Sequence, residues 1–207
     1  MRLIEQIGIE TEAWHADADE HALTLCHLAT APEYQRYLAR MYGFVAPLEH
    51  ALVATPNLER CVDLRRFRKH QLLRRDLESF HTTSEMIERL PRCDVPAFGA
   101  PEVALGWAYV VERSALGHTN LFRHLAVTIP GDVAFTSAYL KCYFGSLGES
   151  WKAFGDALDA AAPTPARAER MIEAARTAFG AYRSWRGVEH DPHAPLMRPA
   201  ARAHDEP

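Results

Sequence analysis

The residues best suited to chemistry lie in one stretch, GWAYVVERSALGHTNLFRHL, from Gly106 to Leu125. Two glycines, Gly106 and Gly117, combine there with Tyr109 and Arg113 in a predicted helix. A helix that presents its backbone to a flat ligand needs glycine at the contact, because a Cβ would hold the ligand away. Close packing of two helices also needs a small residue. Spacing alone leaves both interpretations open.

The composition indicates one globular domain that contains this helix. Of 207 residues, 48% are hydrophobic and 10% aromatic, which is enough for one sizeable core. The net charge of −4 and the pI near 6.3 give no broad basic surface. A local basic cluster of Arg65, Arg66, Arg68 and Lys69 does not change that balance. We therefore expect no nucleic-acid binding.

Apolar spacing predicts helices and no strands. Residues 34–52 repeat apolar side chains at helical spacing after Pro32 and Glu33, and residues 171–185 do the same after the breaker AAPTPA. Further helices are predicted near 1–22, 62–78, 100–125, 131–143 and 147–160. Thr82 with Glu85 forms a capping-box pattern that predicts the start of another, short helix. The fold class is therefore an all-α, single-domain helix bundle.

The two ends of the chain and its cysteines predict domain limits and location. Residues 187–207 contain four prolines and few large apolar side chains, which predicts a loosely ordered tail after a helical domain of residues 1–186. The four cysteines form no CxxC pair, which fits a reducing cytoplasm. Glu5, Glu10 and Glu12 interrupt any signal-peptide core, and we expect no membrane-spanning segment.

Several motifs resemble those of one protein family. YVVERSALGH, from Tyr109 to His118, resembles the distal-helix motif YVxEGSxLGG of bacterial heme oxygenases. TEAWH, from Thr11 to His15, is similar to the TxxxH segment of that family. Four further segments also look like family segments: MYGFVAPLEHAL, RRFRKHQLLRRDL, GESWKAFGDAL and MIEAARTAFGAYRSW. Each motif is weak, but together they keep the family's order from Leu3 to Trp185.

The resemblance implies a heme oxygenase-like multi-helix bundle and a reaction. Heme, iron protoporphyrin IX, would be both cofactor and substrate and would be cleaved to biliverdin, carbon monoxide and iron. A separate reductase or ferredoxin would supply electrons, and a bilin-using photoreceptor is a conceivable user of the product. The family's proximal iron ligand corresponds to His15, and a neutral imidazole is a usual axial ligand of heme.

The distal motif departs from the family at two glycines. Arg113 replaces the first glycine and His118 the last, whereas Gly117 is kept. Arg113 would fill the distal pocket, turn away from it, or bind a heme propionate through its forked donors. His118 could compete as a sixth iron ligand. Gly117, Arg113 and His118 are the catalytic candidates. Besides His15, the expected heme contacts are Gly106, Tyr109, Ser114 and Lys152. Glu112 is expected to order the helix.

Two other interpretations compete with an active heme oxygenase. A degenerate, regulatory member of the family would bind heme, a bilin or a protein partner without oxidising anything. The pair Arg113 and His118 discriminates between the two, because an enzyme needs an open distal face above the iron and a binding protein does not. A non-heme di-iron oxidase is a third hypothesis. It rests on the ExxH pairs Glu12–His15 and Glu78–His81, with Glu49 and Glu112 as further carboxylates.

Overall fold

The structure is a computed structural model, and it describes residues 1–14, 27 and 30–187. These residues are mostly helical and contain no strand, which confirms the all-α prediction. The α-helices are α1 (Leu3–Glu10), α2 (Ala31–Val53), α3 (Lys69–Ser79), α4 (Ser84–Glu88), α5 (Pro101–Ser114), α6 (His118–Thr128), α7 (Pro130–Val133), α8 (Leu147–Ala161) and α9 (Pro165–Gly187). Short 3-10 helices span Leu58–Arg60, Leu64–Arg66 and Ala115–Gly117. Among the described helices, none is both long and apolar enough to cross a bilayer.

Helix α2 begins where local capping predicts it. The Thr30 hydroxyl accepts a hydrogen bond from the Glu33 amide, and the Glu33 carboxylate accepts one from the Thr30 amide. This reciprocal capping satisfies two amides that the helix itself leaves unpaired. The apolar face of α2 then buries Tyr34, Leu38 and Leu48 in the core. The predicted helix over 34–52 is confirmed.

Helices α5 and α9 form the most extensive contact of the bundle, and glycine makes it close. A Cβ on Gly106 would overlap the Met171 carbonyl oxygen and would lie 2.8 Å from the Ala174 Cβ. The two backbones can therefore approach only because position 106 has no side chain. Helix α8 packs against α5 and α1, so α5 lies at the centre of the fold.

The structure differs from the predicted helices in three places. Helix α3 starts at Lys69 and not near residue 62, because the Glu49 carboxylate accepts hydrogen bonds from the Lys69 and His70 amides and caps α3 there. The N-cap of α4 is Thr83 and not Thr82. The hydroxyl of Thr82 is buried and accepts a hydrogen bond from the Gln35 side chain. Of the segment predicted over 1–22, Leu3–Glu10 is confirmed, and residues 15–22 lie outside the described residues.

The predicted helix over 131–143 is wrong. Only Pro130–Val133 is helical, and turns follow. The carboxylate of Asp76, on α3, accepts hydrogen bonds from the amides of Ala138 (2.9 Å) and Tyr139 (2.8 Å). A helix through this region would need those amides for its own ladder. The helix predicted over 147–160 is confirmed, as is that over 171–185, and the predicted tail lies beyond the described residues except for Gly187.

Candidate functional site

The helical segment that contains Arg113 and Gly117 is interrupted just before and at Gly117. Helix α5 ends at Ser114, a 3-10 turn covers Ala115–Gly117, and α6 starts at His118. Such a 3-10 insertion often marks a functional position within a longer helix. Among the described residues, no atom lies within 4 Å of the position that a Cβ on Gly117 would take. A flat ligand can therefore approach the backbone at Gly117.

One face of this helical segment runs from a packed end to an open end. At the 100° per residue of a regular α-helix, Gly106, Arg113 and Gly117 lie within roughly 40° of one another around the helix axis. The Gly106 end of that face is covered by α9. Gly106 therefore fulfils the helix-packing role, which leaves it outside the candidate ligand face. Toward its other end the face carries the half-buried Arg113 and then Gly117, which is exposed among the described residues.

Tyr109 belongs to α5, one helical turn before Arg113, and its side chain extends toward α1. Its ring packs against Trp151 and Phe179, and its hydroxyl lies 3.6 Å from the position that a Cβ on Gly8 would take. Burial raises the pKa of Tyr109 to about 12, although the nearby Arg113 charge opposes that shift. Tyr109 is therefore a neutral hydrogen-bonding group next to the guanidinium of the ligand face.

His118 points into the protein body. Its side chain is 4% exposed, its ring lies 4.6 Å from that of Tyr139, and its Nδ1 lies 3.8 Å from the Cys142 Sγ. Burial lowers the pKa of His118 to about 3, so the ring is neutral. Its Nε2 is buried and has no hydrogen-bond partner in the part of the chain that the structure describes.

A cavity of about 230 Å³ adjoins His118, between the 3-10 turn and residues 140–147. Within the described chain, its lining includes Ala115 and His118 but not Gly117. His118 and Gly117 therefore face different sides of the distal segment, although they are neighbours in sequence.

Ser114 and Lys152 lie apart from each other. The Ser114 hydroxyl donates a hydrogen bond to the Val111 carbonyl one turn earlier, at 2.8 Å. The Lys152 side chain is 72% exposed and pairs with Asp156 at 2.9 Å on the surface of α8. In this arrangement Lys152 is a solvated surface cation with a local carboxylate partner.

Sequence reasoning missed the buried charge cluster around Glu112. Glu112 is 2% exposed, and its carboxylate accepts hydrogen bonds from Arg66 (2.8 Å), Lys69 (2.7 Å) and the Tyr143 hydroxyl (2.8 Å). Burial alone would raise the pKa of Glu112. The positive charges of Lys69 and Arg66 together have the larger effect, and they hold the pKa of Glu112 below its usual value. We call these four residues the Glu112 anchor. The sequence showed Arg66 and Lys69 only as members of a basic cluster.

The di-iron hypothesis finds no support in the described residues. Nowhere among them do three or more His, Cys, Asp or Glu side chains converge as a metal site would require. Glu112 is already paired with two cations, and Glu49 pairs with His70 at 2.6 Å while it caps α3. Glu78 pairs with Arg74. His15, the ligand candidate of both hypotheses, lies outside the described residues.

The residues at Gly117 and Arg113 could hold a planar, anionic tetrapyrrole. Gly117 leaves room for a ring at the backbone, and the half-buried Arg113 places a positive charge on the same face. A guanidinium suits a carboxylate such as a propionate. The part of the chain that the structure describes thus combines an all-α bundle with an interrupted helix that is exposed at Gly117.

Comparison with known proteins agrees with this class. The family model of heme oxygenase matches residues 1–187, and the chain belongs to the heme oxygenase family. A solved structure of the NO- and CO-bound heme oxygenase from Neisseria meningitidis is similar in fold, with a TM-score of 0.74 and 22% sequence identity. The match covers 89% of this chain and 90% of that one. Among curated proteins, none matches the sequence. Family and fold together support a heme oxygenase function in general.

Proposed function

We propose that the chain is a heme oxygenase that binds heme as substrate and cofactor and cleaves it to biliverdin, carbon monoxide and iron. The observation that supports this most directly is the 3-10 turn Ala115–Gly117, which leaves the Gly117 backbone open in the distal segment of a family member. Bound and reduced, heme would supply the chemistry itself, since it activates oxygen for attack on its own meso carbon.

The residues of the chain would hold and orient the ring. In this proposal His15 provides the neutral imidazole that binds the iron from the proximal side. Gly117 lets the ring approach the distal backbone, and Arg113 pairs with a propionate. Tyr109 stays protonated over the physiological range because burial raises its pKa to about 12, so it can donate a hydrogen bond at the edge of this face.

The proposal includes partners outside the chain. Oxidative cleavage consumes electrons, and a separate reductase or ferredoxin would deliver them. A bilin-using photoreceptor is the proposed user of biliverdin, and the cytoplasm is the proposed location.

Hemin titration tests heme binding and the role of His15. Purified protein should give a Soret band with hemin, and His15→Ala should abolish the axial-histidine spectrum. The matched control is His50→Ala, since His50 is an exposed histidine on α2. A spectrum of His15→Ala identical to that of the unsubstituted protein would refute the assignment of the axial ligand.

An electron donor and oxygen then test turnover. A Soret band that decays into a bilin absorption establishes the oxygenase. A Soret band that persists under the same conditions favours the second candidate, a heme- or bilin-binding protein without turnover.

The second candidate rests on Arg113. This arginine lies on the open face with Gly117, where the family motif has glycine. If the side chain obstructs the distal side, Arg113→Gly should raise turnover. Equal or lower activity would instead indicate that the guanidinium has a positive role, such as binding a propionate.

A further inference from the structure

The Glu112 anchor joins the distal helix to three other segments. Glu112 precedes Arg113 and points about 100° away from the open face. Its partners come from the 3-10 helix Leu64–Arg66, from the first turn of α3 and from the turn at Tyr143. Arg66 also donates a hydrogen bond to the Ser150 carbonyl of α8 at 2.8 Å. One carboxylate thus connects α5 to three segments other than α9.

The ion pairs of the anchor are almost fully buried, so the anchor resists displacement. Glu112 carries one negative charge between the positive charges of Arg66 and Lys69, and Glu49, which pairs with His70, accepts a hydrogen bond from the Lys69 amide. The Tyr143 ring lies 5.2 Å from the Arg66 guanidinium and 4.9 Å from the Lys69 ammonium. Moving α5 would separate buried charges from their partners, which is strongly unfavourable.

Helix α5 is therefore fixed at two points along its length. Gly106 holds it against α9 near its first turns, and Glu112 holds it near its last turn. The 3-10 turn Ala115–Gly117 projects beyond the second point. A helix moves nearly as a rigid rod, so any shift or rotation at Glu112 is passed to Arg113 and Gly117.

We propose that the Glu112 anchor positions the distal segment, residues 113–118, and thereby determines which meso carbon of heme is cleaved. Glu112, Arg66, Lys69 and Tyr143 are positioning residues in this scheme, because they act through the backbone of the distal segment. The inference rests on the proposed function for its second half. Its first half, the position of the segment, can be measured without heme.

The first experiment measures amide hydrogen exchange in heme-free protein. Glu112→Gln keeps the size of the side chain but removes its charge. The matched control is Glu85→Gln, which breaks an exposed pair with Arg89 in which Glu85 is 71% exposed. Losing one charged hydrogen bond shifts an equilibrium by roughly tenfold or more, and Glu112→Gln weakens two. Exchange of residues 113–118 should therefore be at least about tenfold faster in Glu112→Gln than in Glu85→Gln. Equal exchange in the two variants, or uniform acceleration of all helices, would overturn the inference.

The second experiment identifies the biliverdin isomers by chromatography. Glu112→Gln should change the ratio of isomers, whereas Glu85→Gln should leave it as in the unsubstituted protein. A purely structural role would lower the yield without changing this ratio. An unchanged ratio in Glu112→Gln would therefore refute the link to regiochemistry.

A milder variant covers the case in which Glu112→Gln does not fold. Tyr143→Phe removes one hydrogen bond to Glu112 and keeps both cations, so it should shift exchange and isomer ratio in the same direction by less. The absence of any shift in this variant counts against the anchor. If the unsubstituted protein binds no heme or forms no bilin, the proposed function fails, and the exchange experiment still decides whether the anchor holds the distal segment.

Discussion

Replacing Gly106 by alanine should destabilise the fold, whereas the same change at Gly180 should stabilise it. Both glycines lie inside α-helices, where alanine is favoured over glycine by about 1 kcal/mol. The new Cβ at position 106 would overlap the Met171 carbonyl oxygen and lie 2.8 Å from the Ala174 Cβ. The Met171 oxygen is a backbone atom of α9, and the Ala174 Cβ is bonded directly to that backbone. Neither atom can therefore move unless α9 moves.

The expected magnitudes follow from these contacts. Overpacking a close helix contact costs about 1–3 kcal/mol, and at Gly106 this exceeds the gain in helix propensity. The net loss should reach about 2 kcal/mol, or a melting temperature lower by about 4–8 °C. At Gly180, no described atom lies within 4 Å of the added Cβ, so only the gain of about 0.5–1 kcal/mol remains.

Thermal and urea unfolding, followed by circular dichroism at the helix band, give the melting temperature and the free energy of unfolding of both variants and of the unsubstituted protein. The two substitutions should shift the transition in opposite directions. If Gly106→Ala proved as stable as Gly180→Ala, glycine would not determine the distance between α5 and α9. The assignment of Gly106 to helix packing would then be wrong.

Gly117→Ala should change the free energy of unfolding by less than about 0.5 kcal/mol, because the added Cβ meets no described atom. The same substitution should weaken hemin binding in a Soret titration. Unchanged affinity would argue against a ligand face at Gly117. Asp76→Asn should flatten the pH dependence of stability between pH 4 and pH 6. Burial raises the pKa of Asp76 from 3.8 to about 6 against the hydrogen bonds from the Tyr139 and Ala138 amides, so its protonated form is favoured in the fold. Its contribution is therefore complete below about pH 4 and is lost as the pH rises to about 6, a change of about 3 kcal/mol. Urea unfolding at several pH values measures this, and an equal slope in Asp76→Asn would contradict the assignment.

The sequence predicted those helices whose start and periodicity are local. Helix α2 has its capping residues, Thr30 and Glu33, next to its own apolar repeat, and α9 follows a clear breaker. The segment 131–143 failed because its amides at 138 and 139 bond to Asp76, more than 60 residues away. Helical spacing in a sequence contains no information about such a distant acceptor.

The same limit applies to the candidate site. Gly106 and Gly117 are the same residue type on the same helical face, and only the position of α9 distinguishes packing from an open backbone. Within the basic cluster, Arg65 is 78% exposed whereas Lys69 is 3% exposed. Charge alone could not separate these two cations. Their difference became visible only with the position of Glu112.

The two departures from the family motif, Arg113 and His118, have different surroundings in the structure. His118 is packed against Tyr139 and Cys142 on the side opposite the ligand face, and it would have to leave a buried site to reach a ring at Gly117. His118 therefore fills space in the protein body, and under the proposed function it would not block oxygen. Arg113 is half-buried and lies on the same helical face as Gly117. Under the proposed function, Arg113 is therefore the departure that separates an oxygenase from a heme-binding protein without turnover, and Arg113→Gly tests it.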